Sequence, residues 1–405
     1  MKSINSILCI LAIYLIVNGC NSSQPTQGDI IQIDVTKNYP EKEIKLTDIA
    51  DISYIQLSEE DEDYLFEGFI ATITQNTIVV FSNRTGDFFF FGKDGKPKSR
   101  FNRKGNGPEE YVSLLSAVYD EQTDELFVYD MKMIRVYSSA GEYKRSLFIP
   151  KETWIGELRL FDDTSLLLYD NYDLVRFAES SSFEGTEDEP RDNKNAYVSP
   201  FVRISRVDGS VLENIKIPQD FTIDLAAIAP GIGAIGNSIS GIKPRMTTYQ
   251  NGVLLNHQEM DTIYLYDKSH RIIPVLTQTP SVKTTTPKVY INWFFDPGKY
   301  QFFEITKAIF VQGGPLQSTY LMRDKQDGSI YQQKLLLEEF KGKEFFITHK
   351  IFLRMPDYKI GHFNLNIDEL REAYADNKLS GQLKEMMASM SKEKENDIIV
   401  LLQFK

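Results

Sequence analysis

Cysteine is nearly absent. The 405 residues include two, Cys9 and Cys20, both at the extreme N-terminus. The body of the chain therefore has no thiol for a disulfide framework, a redox couple or a thiolate metal site. Histidine is scarce too. His257, His270, His349 and His362 show no i, i+4 pairing and no second ligand type at metal-site spacing, so neither a metal nor a cofactor is expected. Positive charge is in deficit. The formal net charge is -12, and an acidic surface repels phosphate backbones, which argues against nucleic acid as a partner. No Gly-x-Ser-x-Gly elbow occurs, because "GNSIS" (236–240) ends in serine. Carboxylates number 57, too many for the sequence to single out an acid/base pair. Asp61-Glu62-Asp63 reads as a solvated loop. Before about residue 365 no ten-residue helical pattern appears.

What is present begins with an address. Lys2 precedes an apolar stretch, Ile7–Val17, of signal-peptide length and too short to span a bilayer comfortably. It runs into Val17-Asn18-Gly19-Cys20, which resembles a bacterial lipobox. By that resemblance residues 1–19 are a signal peptide and Cys20 is the lipidated first residue of the mature chain. Residues 20–29 are polar and aperiodic, as a flexible tether is. Residues 30–405 then form a single domain.

That domain repeats a hairpin theme. "DFFFFGKDGKPKSRF" (87–101), "MIRVYSSAGEYKRSLFIP" (133–150), "FVRISRVDGSVLENIKIP" (201–218), "TIYLYDKSHRIIPVL" (262–276) and "TYLMRDKQDGSIYQQKLLL" (319–337) each hold an apolar run, a turn and a second run. Three of the turns are Asp-Gly: Asp94-Gly95, Asp208-Gly209 and Asp327-Gly328. Such turns favour positive φ and mark hairpins. A further strand precedes each hairpin, at 77–81, 125–130, 165–170, 252–256 and 307–311. The repeat is the size of a four-stranded propeller blade, roughly 40–50 residues, with insertions in the longer copies. The polar, acidic segment 178–196 reads as a mobile, dispensable loop.

Helical pattern arrives late. "NIDELREAYADN" (366–377) opens on Asn366 as a cap, with Glu369 three residues on. Leu383, Met386, Met387 and Met390 then share a helical face that suits docking on the body. The chain ends in "DIIVLLQFK" (397–405), apolar on both faces. The expected fold is all-β: a six-bladed β-propeller with a short C-terminal helical insertion before the closing strand. The last blade would use 343–355 and the terminal strand, and "IIQIDV" (30–35) is the expected partner that closes the ring.

Three segments carry a family resemblance: "GKDGKPKSRFNRKGNGPEEY" (92–111), "MDTIYLYD" (260–267) and the terminal "ENDIIVLLQFK". With the lipobox, they resemble the six-bladed β-propeller lipoproteins of Bacteroidetes, a TolB-like or NHL-like group, over essentially the whole chain. Glu109 stands where that group usually has glycine, and Asp397-Ile398 where it has proline-valine. The resemblance implies an exported propeller and no established reaction. The first acid after Cys20 is Asp29, which points to an outer-membrane anchor facing the periplasm rather than to surface display.

The loop "FNRKGNGPEEYVS" (101–113) looks at first like a phosphate cradle. It fails as one. Pro108 offers no N–H, and Glu109 and Glu110 stand where a P-loop has Lys and Ser/Thr. The preferred reading is a crossing between blades, with Gly105 and Gly107 supplying positive φ and Tyr111 starting the next blade. Arg103, Lys104, Glu110 and Tyr111 are the ligand-binding candidates if the crossing also lines the ring's mouth. The Gly-x-Gly-x-x-Gly at 231–236 lacks a βαβ context and reads as a loop. "NWFFDPGKYQFF" (292–303) suits core packing or, alternatively, a stacking platform for sugars. No catalytic residue is assigned. The expected function is a lipid-anchored, non-catalytic binding or scaffold protein for a glycan, peptide or envelope protein. The alternative is a glycan lyase or hydrolase assembled at the ring mouth.

Overall fold

The computed structural model describes residues 30–57, 64, 68–149, 153–170, 200–218, 245–309, 317–348, 357–390 and 396–405. These residues form six sheets, antiparallel apart from one added parallel strand on each of two, arranged as a six-bladed β-propeller. Blade 1 is Phe69–Ile73, Thr77–Phe81, Asp87–Gly92 and Pro97–Asn102. Blade 2 runs from Ser116–Asp120 to Tyr143–Leu147 and blade 3 from Ile155–Leu160 to Val211–Asn214. Blade 4 runs from Met246–Tyr249 to Ile272–Thr279 and blade 5 from Val289–Phe295 to Ile330–Leu336. Blade 6 joins Ile360–Leu365, Ile398–Phe404 and, from the other end of the chain, Ala50–Gln56.

All five expected hairpins are the outer strand pairs of blades 1 to 5. Their turns hold Gly95, Gly141, Gly209 and Gly328 at φ near +80°, and His270 at +61°. His270 takes a glycine's place with its ring stacked on Tyr266, centroids 5.9 Å apart. The second strand of blade 5 is Tyr300–Lys307, which corrects the expected start at 307; residues 310 and 311 lie outside the described residues.

Blade sheets are packed on both faces, so their strands are apolar throughout rather than alternating. The run Phe88-Phe89-Phe90-Phe91 shows how. Phe88 and Phe90 enter the core between blades 1 and 2, and Phe89 and Phe91 that between blades 6 and 1. Each buried ring contributes about 1.5–3 kcal/mol. Four further cores fill the remaining junctions, between blades 2 and 3, 3 and 4, 4 and 5, and 5 and 6. The ring is thus closed by six interfaces of one kind.

The chain's N-terminal end clasps this ring. Ile31–Asp34 lies parallel to the outer strand of blade 4, Ile31 opposite Leu276. Glu41–Lys45 does the same on blade 5. Only then does Ala50–Gln56 pair with Ile398–Phe404 in blade 6. The expectation that 30–35 partners the terminal strand is therefore corrected. The two closing strands meet in register from Ala50–Phe404 to Gln56–Ile398, while 31–34 caps a sheet edge two blades away.

The helical insertion connects the first two strands of blade 6. Asn366 caps Ile367–Ala375, its side chain accepting from the Asp368 and Glu369 amides. Leu383 and Met387 of Gly381–Ser389 are buried, and Met386 and Met390 pack against the core between blades 5 and 6. The stripe is a docking face, as its spacing implied.

Candidate functional site

The loop after blade 1 is a self-bonded crossing. The Arg103 amide donates to Tyr111 Oη at 2.9 Å, and that hydroxyl donates to the Gly86 carbonyl at 2.7 Å. The Arg103 guanidinium reaches the Gly141 carbonyl and Lys104 Nζ the Arg84 carbonyl. Glu110 accepts from the Gly107 amide at 2.8 Å. Neither Gly105 nor Gly107 has left-handed φ. A Cβ at Gly105 would sit 2.0 Å from a Glu110 carboxylate oxygen, so any larger residue there would push the Glu110 side chain off the Gly107 amide. Tyr111 does not start blade 2, whose first strand begins at Ser116. Its fully buried ring packs edge-on against Phe88 and Tyr137 in the core between blades 1 and 2. Burial raises its hydroxyl pKa well above the ordinary range. The loop brings the four candidates together, but as a staple between two blades.

The aromatic stretch 292–303 is also interior. Trp293, Phe294, Phe295, Phe302 and Phe303 are all buried, which removes the stacking-platform alternative. The Gly-x-Gly-x-x-Gly at 231–236, the segment 178–196 and His349 lie outside the described residues. Among the described residues no cluster of three or more His, Cys, Asp or Glu has metal-site geometry.

The central channel offers something the sequence did not reveal. A cavity of about 190 Å3 is lined by one residue or more from the inner strands of four successive blades: Thr72, Val118, Leu158, Arg159 and Thr248. Phe161, Gln250 and Lys268 line it from the turns of blades 3 and 4. Lys268 Nζ lies 4.6 Å from the centre of the Phe161 ring. Burial lowers the Lys268 pKa, against the pull of Asp162 and Asp163. Arg159 is 6% exposed. Its nearest charge is Glu157, 3.8 Å from Nε, beyond hydrogen-bond reach. Glu157 is held instead by the backbone amides of Arg245 and Met246. Its burial pushes that carboxyl up, and burial pulls the Arg159 guanidinium down.

Beside this pair sits a buried polar group between blades 3 and 4. Arg245 is 5% exposed and donates to Gln258 from Nη2, while its Nε and Nη1 have no partner. Tyr169 lies with its ring 6.3 Å from that of His257, and burial pushes its hydroxyl up to about 12. Tyr290 is likewise pushed up to about 12 by burial. His257 accepts from the Glu259 amide and is held neutral, well below its ordinary pKa, by burial first and by Arg245 second. No local motif announces these residues. They come from elements up to about 130 positions apart, so only the ring's closure assembles them.

Among solved structures, the chain is similar to a Bacteroides fragilis protein described as exported. The two share 14% identity, with 93% of this chain and 99% of that one covered, at a TM-score of 0.58. A member of the DUF4221 family from Bacteroides vulgatus aligns at 10% identity over 88% and 97% of the two chains, with a TM-score of 0.44. The first likeness supports the propeller fold. None of the curated proteins matches the chain. Residues 30–403 match a family described as a domain of unknown function, DUF4934, and the chain belongs to that family.

Proposed function

We propose that this chain is a lipid-anchored propeller of the cell envelope that holds a glycan, peptide or protein partner without changing it chemically. The anchor is Cys20, in the outer membrane, with the propeller in the periplasm. The exported description of the similar Bacteroides fragilis protein supports an envelope setting. Among the described residues no helix is long and apolar enough to cross a membrane.

One observation carries the binding role. The described lining of the channel cavity holds hydroxyls, an amide, two cations and apolar side chains, but no carboxylate, histidine or tyrosine. Lys268 is the one side chain in that lining that could serve general acid–base work, and no second such group stands beside it there to share the proton transfers. A lining of this kind recognises and releases. The test is to incubate the purified protein with envelope glycan and peptide fractions and to analyse what it retains by mass spectrometry. Retention of chemically unchanged ligand is expected. Recovery of a cleaved or eliminated product would overturn the reading. Cys20→Ala should move the protein from the membrane to the soluble fraction.

A second, catalytic reading has its own support in Tyr169, His257 and Arg245, a base-and-cation set of the kind a glycan lyase or hydrolase uses. All three are at least nine-tenths buried, and none of them lines the channel cavity.

A further inference from the structure

We infer that the channel cavity recognises a small hydroxylated carboxylate of the sugar-acid class, with Arg159 as the group that reads the carboxylate. This rests on the binding reading above. Arg159 is the departure point because its guanidinium is buried and makes no hydrogen bond among the described residues, its charge partner Glu157 standing 3.8 Å away. Nε has no hydrogen-bond partner, and among the described residues none accepts a hydrogen bond from Arg159. A guanidinium presents five donors in a planar fork, and burying it unpaired is unfavourable unless something else completes it. Glu157 stands at ion-pair distance but accepts its hydrogen bonds from two backbone amides. The fork is therefore spare, and it lines a cavity.

The remaining lining narrows the ligand. Guanidinium–carboxylate pairs are commonly bidentate, which suits a planar monoanion. A phosphate dianion would feel stronger repulsion from Glu157, only 3.8 Å from Arg159 Nε. Lys268 adds a second positive charge where the turns of blades 3 and 4 meet, partly offset by Asp162 and Asp163. Thr72, Thr248 and Gln250 supply polar partners for hydroxyls, and Leu158 and Phe161 supply apolar faces for a ring. At about 190 Å3 the cavity is smaller than the roughly 300–1,000 Å3 typical of drug-sized ligands. It fits one compact ring and not a chain of them.

Titration calorimetry on the full-length protein tests this with three probes: glucuronate, glucose and inorganic phosphate. Saturable glucuronate binding is expected, at least tenfold tighter than glucose or phosphate. Arg159→Met should lose at least tenfold of that affinity while melting within a few degrees of the wild type, since no hydrogen bond is lost. Lys268→Gln should lose less, and the loss should shrink in high salt. Should Arg159→Met fail to fold, Thr248→Leu fills the cavity instead and should abolish binding. Glucose or phosphate binding as tight as glucuronate, unchanged affinity in Arg159→Met, or no glucuronate binding would each overturn the inference and leave the broader binding role standing. Conversely, arginine-dependent glucuronate binding followed by its chemical conversion would sustain this assignment and sink the non-catalytic reading.

Discussion

The junction between blades 1 and 2 and the region where blades 3 and 4 meet the channel are built from the same kind of strand pair, yet they spend it differently. In the first, Phe88, Phe90, Phe101, Tyr111 and Tyr137 interlock, and the Tyr111 hydroxyl both accepts and donates. Aromatic pairs of this geometry add about 0.5–1.5 kcal/mol beyond their burial. In the second, Arg159 and Arg245 are as buried as core residues but keep N–H groups unpaired. A fold closed by six apolar interfaces can tolerate such a cost at one of them. One junction is a staple. The other leaves buried donors unsatisfied at a cost in stability, the pattern that the proposed binding role would call for.

The sharpest way to break the comparison is to remove what both regions share, the closed ring. Truncation after Asn396 deletes the middle strand of blade 6, with Ile398, Ile399, Val400, Leu402 and Phe404 buried in the junctions on either side. Large buried side chains are worth on the order of 2–5 kcal/mol each, and a typical domain only about 5–15 kcal/mol in all. The truncated chain should show no cooperative melt by circular dichroism. A monomer melting like the full chain would refute closure by this strand.

Within the intact ring, Tyr111→Ala should cost about 3–5 kcal/mol, as for other large aromatic truncations in cores. Tyr111→Phe should cost about 1–2 kcal/mol, since it leaves the Arg103 amide and Gly86 carbonyl without their shared hydroxyl. Urea titration measures both. Equal costs for the two variants would show that packing alone holds the crossing.

A pH titration extends the contrast to the junction of blades 6 and 1. His362 is buried there, its Nδ1 unpartnered, and burial with nearby Lys93 lowers it to about 4. The unfolded chain takes up this proton near pH 6.5 and the folded chain only near pH 4. Its stabilising effect is thus complete above about pH 6.5 and is lost as pH falls through that window, a change of about 3 kcal/mol. His362→Gln should shrink the stability difference between pH 7 and pH 4 by about 2–3 kcal/mol. An undiminished difference would place the acid sensitivity elsewhere, with the carboxylates.

The smallest effect is expected at Arg159. Arg159→Met should cost no more than about 2 kcal/mol, because Arg245 remains as a counter-charge for the buried Glu157 and relief of an unsatisfied donor set offsets part of the loss. A loss of several kcal/mol would make Arg159 a structural residue and erase the distinction between the two regions.

Much of the fold was legible because its signals are local. The turns at Asp94-Gly95, Asp208-Gly209 and Asp327-Gly328 need left-handed backbone, and Gly95, Gly209 and Gly328 supply it. Asn366 names its own helix start. The misjudged segments were those decided by distant partners. Ile31–Asp34 had the pattern of a closing strand, and nothing in four residues says which of several open edges it will cover. Arg103, Lys104, Glu110 and Tyr111 stood out because they are adjacent, yet adjacency made them bond to one another and to the neighbouring turns.

By itself the sequence determined the all-β class, the five hairpins, the late helices and the need for a strand from each end, since backbone preference and hydrophobic period act over a few residues. Tertiary structure alone decided which edges the N-terminal strands cover, where Glu157, Arg159 and Arg245 meet, and that a cationic cavity opens in an acidic protein. These depend on closing a ring across hundreds of residues. Closure sets strands from four blades around one axis, and no short stretch of chain carries that distance.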